Sequence, residues 1–176
     1  MFKARFSKFR TFLIFVLIIG GALIYQHWIY SEQIILIDGK AAQVIDGDSF
    51  RSGGEEFRIY GIDAPEYRQN CKDETGADWS CGQAARNGLD KILRDEDHSC
   101  VVRTRDRFGR LVVLCTSETG ADLSAMLVSD GLAVSGQSFD ETIYATDERN
   151  AQKAKRGIWR GKFIHPGVWR AQNPRS

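Results

Sequence analysis

Residues 57–66 read FRIYGIDAPE, and this stretch decides the fold. Its first part is rich in isoleucine and aromatic residues and predicts a strand over 57–62. Gly61 inside that strand indicates a bulge. Arg58 and Asp63 are five positions apart, so they would face opposite sides of a regular strand. We therefore expect the chain to bend between them. Pro65 disfavours a helix at the residue before it, which predicts an extended loop over 63–67.

The flanking sequence predicts a small α+β domain. Residues 33–38 are either a connector or a first strand, and further strands are expected at 41–45, 50–52, 101–105 and 111–114. Helices are expected at 81–93, 122–129 and 141–156. This pattern predicts a five-stranded OB-fold-like β-barrel with three α-helices. The expected divisions are a basic flank (1–10), a transmembrane helix or signal peptide (11–30), a linker (31–39), the domain (40–160) and a C-terminal tail (161–176).

Five charged side chains from separate segments suit the hydrolysis of a phosphodiester. Such a bond is already negative and repels an attacking hydroxide. Asp48 and Asp63 supply the oxygen ligands of a hard divalent cation, which relieves the repulsion. Arg58 and Arg110 match the charge and planar geometry of phosphate oxygens. Glu66 can accept a proton from the attacking water.

Together these segments resemble the thermonuclease family, the staphylococcal nuclease-like proteins. The resemblance covers roughly residues 40–159. It rests on Asp-Gly-Asp-Ser at 46–49, on Arg-x4-Asp-x-Pro-Glu at 58–66 and on Asp-x-x-Gly-Arg at 106–110. It implies an OB-type barrel and an enzyme that cleaves DNA and RNA to leave 3′-phosphate ends.

The resemblance also implies a bound calcium ion. Asp48 and Asp63 correspond to its carboxylate ligands, and the backbone carbonyl of Ala64 to a further ligand. Glu66 corresponds to the general base, or to the residue that orders the attacking water. The predicted cofactor is therefore Ca²⁺, held by hard oxygen donors.

In the same family, Arg58 and Arg110 correspond to the pair that neutralises the phosphate in the transition state. One departure concerns base contacts, because well-known members carry tyrosines where residues 134–139 read VSGQSF. Phe108 is our candidate for stacking on a base, and Arg107 our candidate for a further substrate contact.

The distribution of charge favours a second hypothesis. Residues 1–10 hold four basic side chains and 149–176 hold eight, with no acid in either range, so residues 11–148 carry a net charge of −11. An acidic body binds nucleic acid poorly without a cation. The rival hypotheses are a barrel that binds nucleic acid without cleaving it and an envelope structural protein that needs no metal.

The N-terminal segment predicts a location in the cell envelope. Residues 11–30 carry no fixed charge over 20 positions and follow a basic flank. About 20 apolar residues span a bilayer, and Trp28 and Tyr30 suit its interface. The alternatives are a retained inner-membrane anchor, a cleaved signal peptide or a buried core helix. The first two place the domain in the periplasm or outside the cell. We expect a monomer without a protein partner.

The four cysteines predict two disulfides. If the turn over 106–109 is centred between Arg107 and Phe108, Cys100 lies opposite Cys115, close enough for a bridge. Cys71 and Cys81 then pair by elimination. An oxidising compartment suits this interpretation. The alternative is four reduced thiols in a cytosolic protein.

Overall fold

The computed structural model describes residues 12, 14–22, 33–136 and 143–174, and the chain divides into two units, 1–33 and 34–176. In the first unit, residues 14–22 are helical. Within the described ranges, no helix combines the length and the apolar character needed to cross a membrane. The predicted span over 11–30 lies in good part outside those ranges, so it stays a prediction.

The second unit has ten described strands. In chain order they are β1 (Ile34–Ile37), β2 (Gln43–Asp46), β3 (Ser49–Ser52), β4 (Glu55–Ile59), β5 (Ile62–Asp63), β6 (Cys71–Lys72), β7 (Asp78–Trp79), β8 (His98–Arg105), β9 (Leu111–Ser117) and β10 (Val134–Ser135). Six of them form one sheet in the order β1-β8-β9-β4-β3-β2, which curls into a half-barrel. β4 and β9 run parallel, and the other neighbours are antiparallel. β5 pairs with β10, and β6 with β7.

Helices cover this sheet and connect its strands. They are α1 (Cys81–Asp95), α2 (Leu123–Ser129), α3 (Ala145–Lys153), a 3₁₀-helix (Gly157–Arg160) and α4 (Pro166–Gln172). Ala85, Leu89 and Leu93 recur every four residues along α1, and all three are buried. The Asp122 carboxylate caps α2 by accepting from the backbone N–H groups of the second and third helical residues, as the sequence predicts.

The core lies between the sheet and the helices. The rings of Phe50 and Phe57 are stacked with centroids 5.1 Å apart, across the β3–β4 pair. Leu89 from α1 and Leu127 from α2 are fully buried in the same cluster. Burying each of these side chains contributes roughly 1.5–3 kcal/mol. This packing fixes the ends of β2, β3 and β4, where the polar site residues lie.

The architecture is mixed α+β, as expected, but the main sheet has six strands where five were predicted. The additional strand is β1, because residues 34–37 pair with β8 instead of forming a connector. The predicted bend is confirmed. β4 ends at Ile59, Gly61 adopts a φ of 76°, and β5 continues in a different sheet.

One expectation about the C-terminal part was wrong. The third helix does not reach 156, because Ala154 ends it and Lys155 adopts a left-handed φ of 53°. The tail (161–176) contains α4, a helix that the sequence analysis did not identify. This helix begins with Pro166 in its first turn, and the His165 ring accepts from the Gly167 N–H. Seven residues are too few for a periodic pattern to reveal such a helix.

Both predicted disulfides are present. Cys100 and Cys115 lie opposite each other in the β8–β9 pair with Cα atoms 4.0 Å apart. Cys71 and Cys81 join β6 to the start of α1 with a Cα separation of 5.6 Å. Among the described cysteines none is free. The first bridge clamps a hairpin, and the second ties the loop that follows Glu66 to a helix.

Candidate active site

Asp48 lies in the tight turn between β2 and β3. The Asp46 carboxylate holds this turn, because its Oδ1 accepts from the Asp48 N–H at 3.2 Å and from the Ser49 hydroxyl at 2.6 Å. Gly47 allows the turn to approach the core, since a Cβ there would meet the methyl groups of Ala85 and Ala64 at 2.6 and 2.7 Å. Asp46 therefore shapes the turn, and Asp48 projects from it.

Arg58 joins two carboxylates that are distant along the chain. Its Nη1 donates to Asp48 Oδ1 at 3.0 Å, and its Nη2 donates to Asp63 Oδ1 at 3.2 Å. The bend at Gly61 makes this possible, because it turns Asp63 back toward the strand that carries Arg58. Two carboxylates of the predicted site, Asp48 and Asp63, thus meet at the guanidinium group of Arg58.

Burial makes the charged forms of Asp48 and Arg58 energetically costly. Asp48 is only 2% exposed, and its Oδ2 accepts from the Ala64 N–H at 3.2 Å. Burial raises the pKa of Asp48 to about 8; Arg58 opposes that rise, and the nearby Asp46 and Asp63 add to it. Burial also works against the charge of Arg58, but the carboxylates of Asp48 and Asp63 raise its pKa overall. The cluster holds more negative charge than Arg58 alone neutralises.

Glu66 joins the cluster through Arg170, a residue of α4 that the sequence analysis did not identify. Arg170 Nη1 donates to Asp63 Oδ1 at 2.8 Å and to Glu66 Oε1 at 3.0 Å, and its Nη2 donates to Asp63 Oδ2 at 2.9 Å. Burial works against its charge, but these two carboxylates raise the pKa of Arg170. The His165-Pro166 pair, a helix-start signal, was the available hint that this segment is ordered.

Gln69 is a second residue that the sequence analysis missed, and it positions the loop that carries Glu66. It is completely buried, and its Oε1 accepts from the Glu66 N–H at 3.3 Å. Its Nε2 donates to the carbonyl of Ile164 at 2.6 Å, just before α4. Its own carbonyl accepts from Gly82 in the first turn of α1. The side chain of Gln69 therefore links the Glu66 loop to the C-terminal segment, and its backbone carbonyl links that loop to α1.

The hairpin turn between β8 and β9 holds the other predicted residues. Arg110 Nε donates to Asp106 Oδ2 at 2.8 Å, and within the described residues Arg110 forms no ion pair with Asp48, Asp63 or Glu66. The Phe108 side chain is 70% exposed, and the Arg107 guanidinium lies 4.8 Å from its ring centroid. Arg107, Phe108 and Arg110 are thus grouped with one another and are not part of the acidic cluster.

The donors of the cluster suit a hard cation in kind. Asp48 and Asp63 both contact Arg58, so their carboxylate oxygens lie close together, and such oxygens are ligands that a hard cation prefers. The number of donors is small. Within the described ranges, no group of three or more acidic, histidine or cysteine side chains is arranged to hold a metal ion. Two carboxylates would leave other positions of a calcium ion to water, a backbone carbonyl or a substrate oxygen.

Comparison with known proteins gives two matches. The sequence model of a family described as staphylococcal nuclease homologue matches residues 56–161, more than half of the chain. A protein of Rhizobium meliloti (strain 1021), named succinoglycan biosynthesis protein ExoI, is 37% identical over 125 residues, which are 70% of this chain. The aligned region spans 65% of the length of that protein.

Proposed function

Because the chain belongs to the staphylococcal nuclease homologue family, we propose that it is a calcium-dependent nuclease built on an OB-type scaffold. It hydrolyses phosphodiester bonds of DNA or RNA and leaves 3′-phosphate ends. The observation that carries this proposal is the pair of ion pairs by which Arg58 holds Asp48 and Asp63 together. Glu66 lies close to Asp63, because the guanidinium of Arg170 contacts both carboxylates.

The proposed roles follow from the chemistry of each side chain. Glu66 accepts a proton from the attacking water, whose oxygen forms the new bond to phosphorus. The P–O5′ bond breaks, and the departing oxygen takes a proton from solvent. Arg58 donates hydrogen bonds to the phosphate oxygens as their charge grows. Asp48, Asp63 and the Ala64 carbonyl would hold Ca²⁺, which would supply positive charge to the same phosphate.

Arg110 is proposed as the second arginine for the phosphate. Arg58 is opposite Val112 in the parallel β4–β9 pair, and Arg110 is two residues before Val112. Arg110 directly precedes β9, and a continuation of the strand's alternation to this residue would put it on the face that carries Arg58. The Asp106–Arg110 ion pair must open for the guanidinium to reach substrate. Arg107 and Phe108, at the exposed tip of the hairpin, are proposed substrate contacts.

The direct test is a cleavage assay with residues 31–176. Single-stranded DNA and RNA are incubated with calcium or with a chelator, and the products are sized and their ends identified. We expect calcium-dependent cleavage that leaves 3′-phosphate ends and is lost in Asp48→Asn. The matched control is Asp78→Asn, because the side chain of Asp78 is 64% exposed and pairs with Lys72. Equal activity with calcium and with chelator would refute the proposed cofactor.

We further propose that the domain acts in the cell envelope. The support is the apolar segment over 11–30 behind a basic flank, together with two disulfides, which suit an oxidising compartment. Retention of the segment would make it an inner-membrane anchor with the domain in the periplasm, and cleavage would release the domain. Fractionation of cells that express a tagged chain separates these cases, because an anchored chain stays with the membranes.

A second candidate function is a module that binds without cleaving. It is favoured by the ion pairs of Arg170 with Asp63 and Glu66 and of Arg110 with Asp106, because these pairs engage groups that cleavage would need. The name of the similar Rhizobium protein refers to succinoglycan biosynthesis and not to nucleic acid cleavage, which would suit a role of this kind. Retention of nucleic acid on a filter without cleavage under any cation condition would favour this candidate over the nuclease.

A further inference from the structure

Arg170 reaches the acidic cluster from a segment that is attached at several points. The carbonyl of Lys162 accepts from the Lys72 N–H at 2.7 Å, and the carbonyl of Ile164 accepts from Gln69. The His165 ring then caps α4, and Pro166 is buried. These contacts place the start of α4 beside the cluster, and Arg170 follows one turn later on the inner side.

The guanidinium of Arg170 occupies the groups that the proposed function assigns to a cation and to a water molecule. Both carboxylate oxygens of Asp63 accept from it, and one of them also accepts from Arg58. Glu66 is held by the same Nη1. The side chains of Asp63 and Glu66 are only 10% and 13% exposed, so the contacts with Arg170 are shielded from solvent on the carboxylate side.

We propose that Arg170 is an internal counter-cation that competes with a divalent cation for Asp63. This inference rests on the proposed function, because it concerns the same cation site. A divalent ion on Asp63 and a guanidinium in a two-point contact with that carboxylate cannot both be accommodated without strong repulsion. Binding of the cation therefore displaces Arg170, and the same displacement breaks the contact of Arg170 with Glu66. The C-terminal helix thereby couples cation binding to a contact of the proposed base.

The exposed side of α4 is consistent with such a displacement. The Arg170 side chain is itself 38% exposed, Val168 is 50% exposed, and residues 171–174 are exposed. A change of rotamer suffices to move the guanidinium, because an arginine side chain has several rotatable bonds. The anchors at Lys162 and Ile164 precede the helix and need not open.

The test measures calcium binding and not cleavage. Calcium chloride is titrated by calorimetry into the full-length protein and into Arg170→Gln, Arg170→Lys and Lys162→Gln. We expect Arg170→Gln to bind calcium about tenfold more tightly or better, within the range typical of coupled sites. Lys162→Gln removes one charge from the same segment at an exposed position, so its affinity should match the wild type. Arg170→Lys should lie between, because it keeps the charge and loses the two-point contact.

Further readouts separate competition from a merely structural role. Calcium should raise the melting temperature of Arg170→Gln more than that of the wild type, because no guanidinium has to be displaced from Asp63 in the variant. Thermal melting without calcium checks that each variant is folded. An Arg170→Gln protein that is folded and binds calcium no more tightly than the wild type would overturn the proposal, and so would an equal gain in Lys162→Gln.

The outcome is distinguishable from failure of the proposed function. Tighter calcium binding by Arg170→Gln without cleavage of nucleic acid supports competition and refutes the nuclease. Calcium-dependent cleavage together with an unchanged calcium affinity in Arg170→Gln supports the nuclease and refutes the competition. Absence of calcium binding by every variant overturns the competition.

Discussion

The acidic cluster and the β8–β9 hairpin turn both pair an arginine with aspartate, yet the two regions are built differently. Arg58 meets Asp48 and Asp63 from positions ten and five residues away, and its side chain is 20% exposed. Arg110 meets Asp106 four residues away in a turn whose backbone the same carboxylate also holds. The cluster depends on several strands packing together, whereas the turn depends on its own residues.

The pKa values of Asp48 and Asp106 are shifted in opposite directions in the two regions. In the cluster, burial raises the pKa of Asp48 to about 8, so its charge is costly without a cationic partner. In the turn, burial would raise the pKa of Asp106, but hydrogen bonds from Arg110 and from backbone N–H groups lower it overall. A pKa shifted by burial and by nearby charges, as at Asp48, is typical of functional sites. A satisfied pair, as at Asp106, is typical of a structural turn.

The largest expected effect on rate and stability is that of Arg58→Ala, which removes the ion pairs with both Asp48 and Asp63. Loss of a contact to a developing charge commonly lowers the rate by about 10²–10³-fold. Loss of one partner of a buried ion pair costs roughly 3–5 kcal/mol, because the other charges are left uncompensated. Cleavage assays and urea denaturation measure the two effects. Arg51→Ala is the control, since its pair with Glu56 is 60% and 35% exposed and should contribute less than about 1 kcal/mol.

Arg110→Ala comes next and tests whether the turn belongs to the site. We expect the rate to fall by about 10²–10³-fold, as for Arg58, because both are assigned to the phosphate. The free energy of unfolding should fall by only about 1 kcal/mol, because the lost pair is local.

The companion variant Asp106→Asn keeps an oxygen acceptor for the turn and removes the ion pair. It should leave the rate unchanged. A normal rate in Arg110→Ala would place this arginine outside the site and leave Arg58 as the arginine assigned to the phosphate.

Removal of the hairpin disulfide should affect stability and not the site. The double variant Cys100→Ala/Cys115→Ala opens a bridge with a sequence separation of 15 residues. A loop of about this length contributes roughly 3 kcal/mol. The β8–β9 register should persist, since seven residue pairs hold it. The midpoint of urea denaturation should therefore drop, while the rate at low temperature stays at the wild-type value. A comparable loss of rate would mean that the hairpin must be rigid for catalysis.

The smallest effect concerns His98 at the first position of β8. It is 2% exposed, both ring nitrogens lack a hydrogen-bond partner among the described residues, and burial lowers its pKa. The unfolded chain therefore takes up a proton more readily than the folded one. Stability contributed by the neutral ring is complete above about pH 6.5 and decreases as pH falls toward the lower folded pKa.

Denaturation of the wild type and of His98→Phe between pH 7.5 and pH 5 measures this contribution. The phenylalanine variant should lose less stability over the interval, because its ring cannot be protonated. Identical pH profiles would assign the acid sensitivity to other groups.

Most of the hairpin could be predicted from sequence, while only part of the acidic cluster could. Counting outward from a turn centred between Arg107 and Phe108 put Cys100 opposite Cys115, as observed. The pairs next to the turn differ from that count by one residue, and an irregularity between Val102 and Thr104 restores the predicted register. The bend at Gly61 followed from the distance between Arg58 and Asp63. The sequence left residues 33–38 open between a connector and a first strand, because residues 34–37 become a strand only where β8 supplies the hydrogen bonds.

The residues themselves determined whatever depends on near neighbours: the Asp46 turn, the Asp122 cap, the hairpin bridge and the order of the charged segments that marks the family. Only the tertiary structure decided that Arg170 occupies Asp63 and Glu66, because 107 and 104 positions separate these partners. No local pattern encodes a contact of that span. It exists because Gln69 and the β6 segment attach the C-terminal chain beside the cluster, and buried carboxylates there favour any cation within reach.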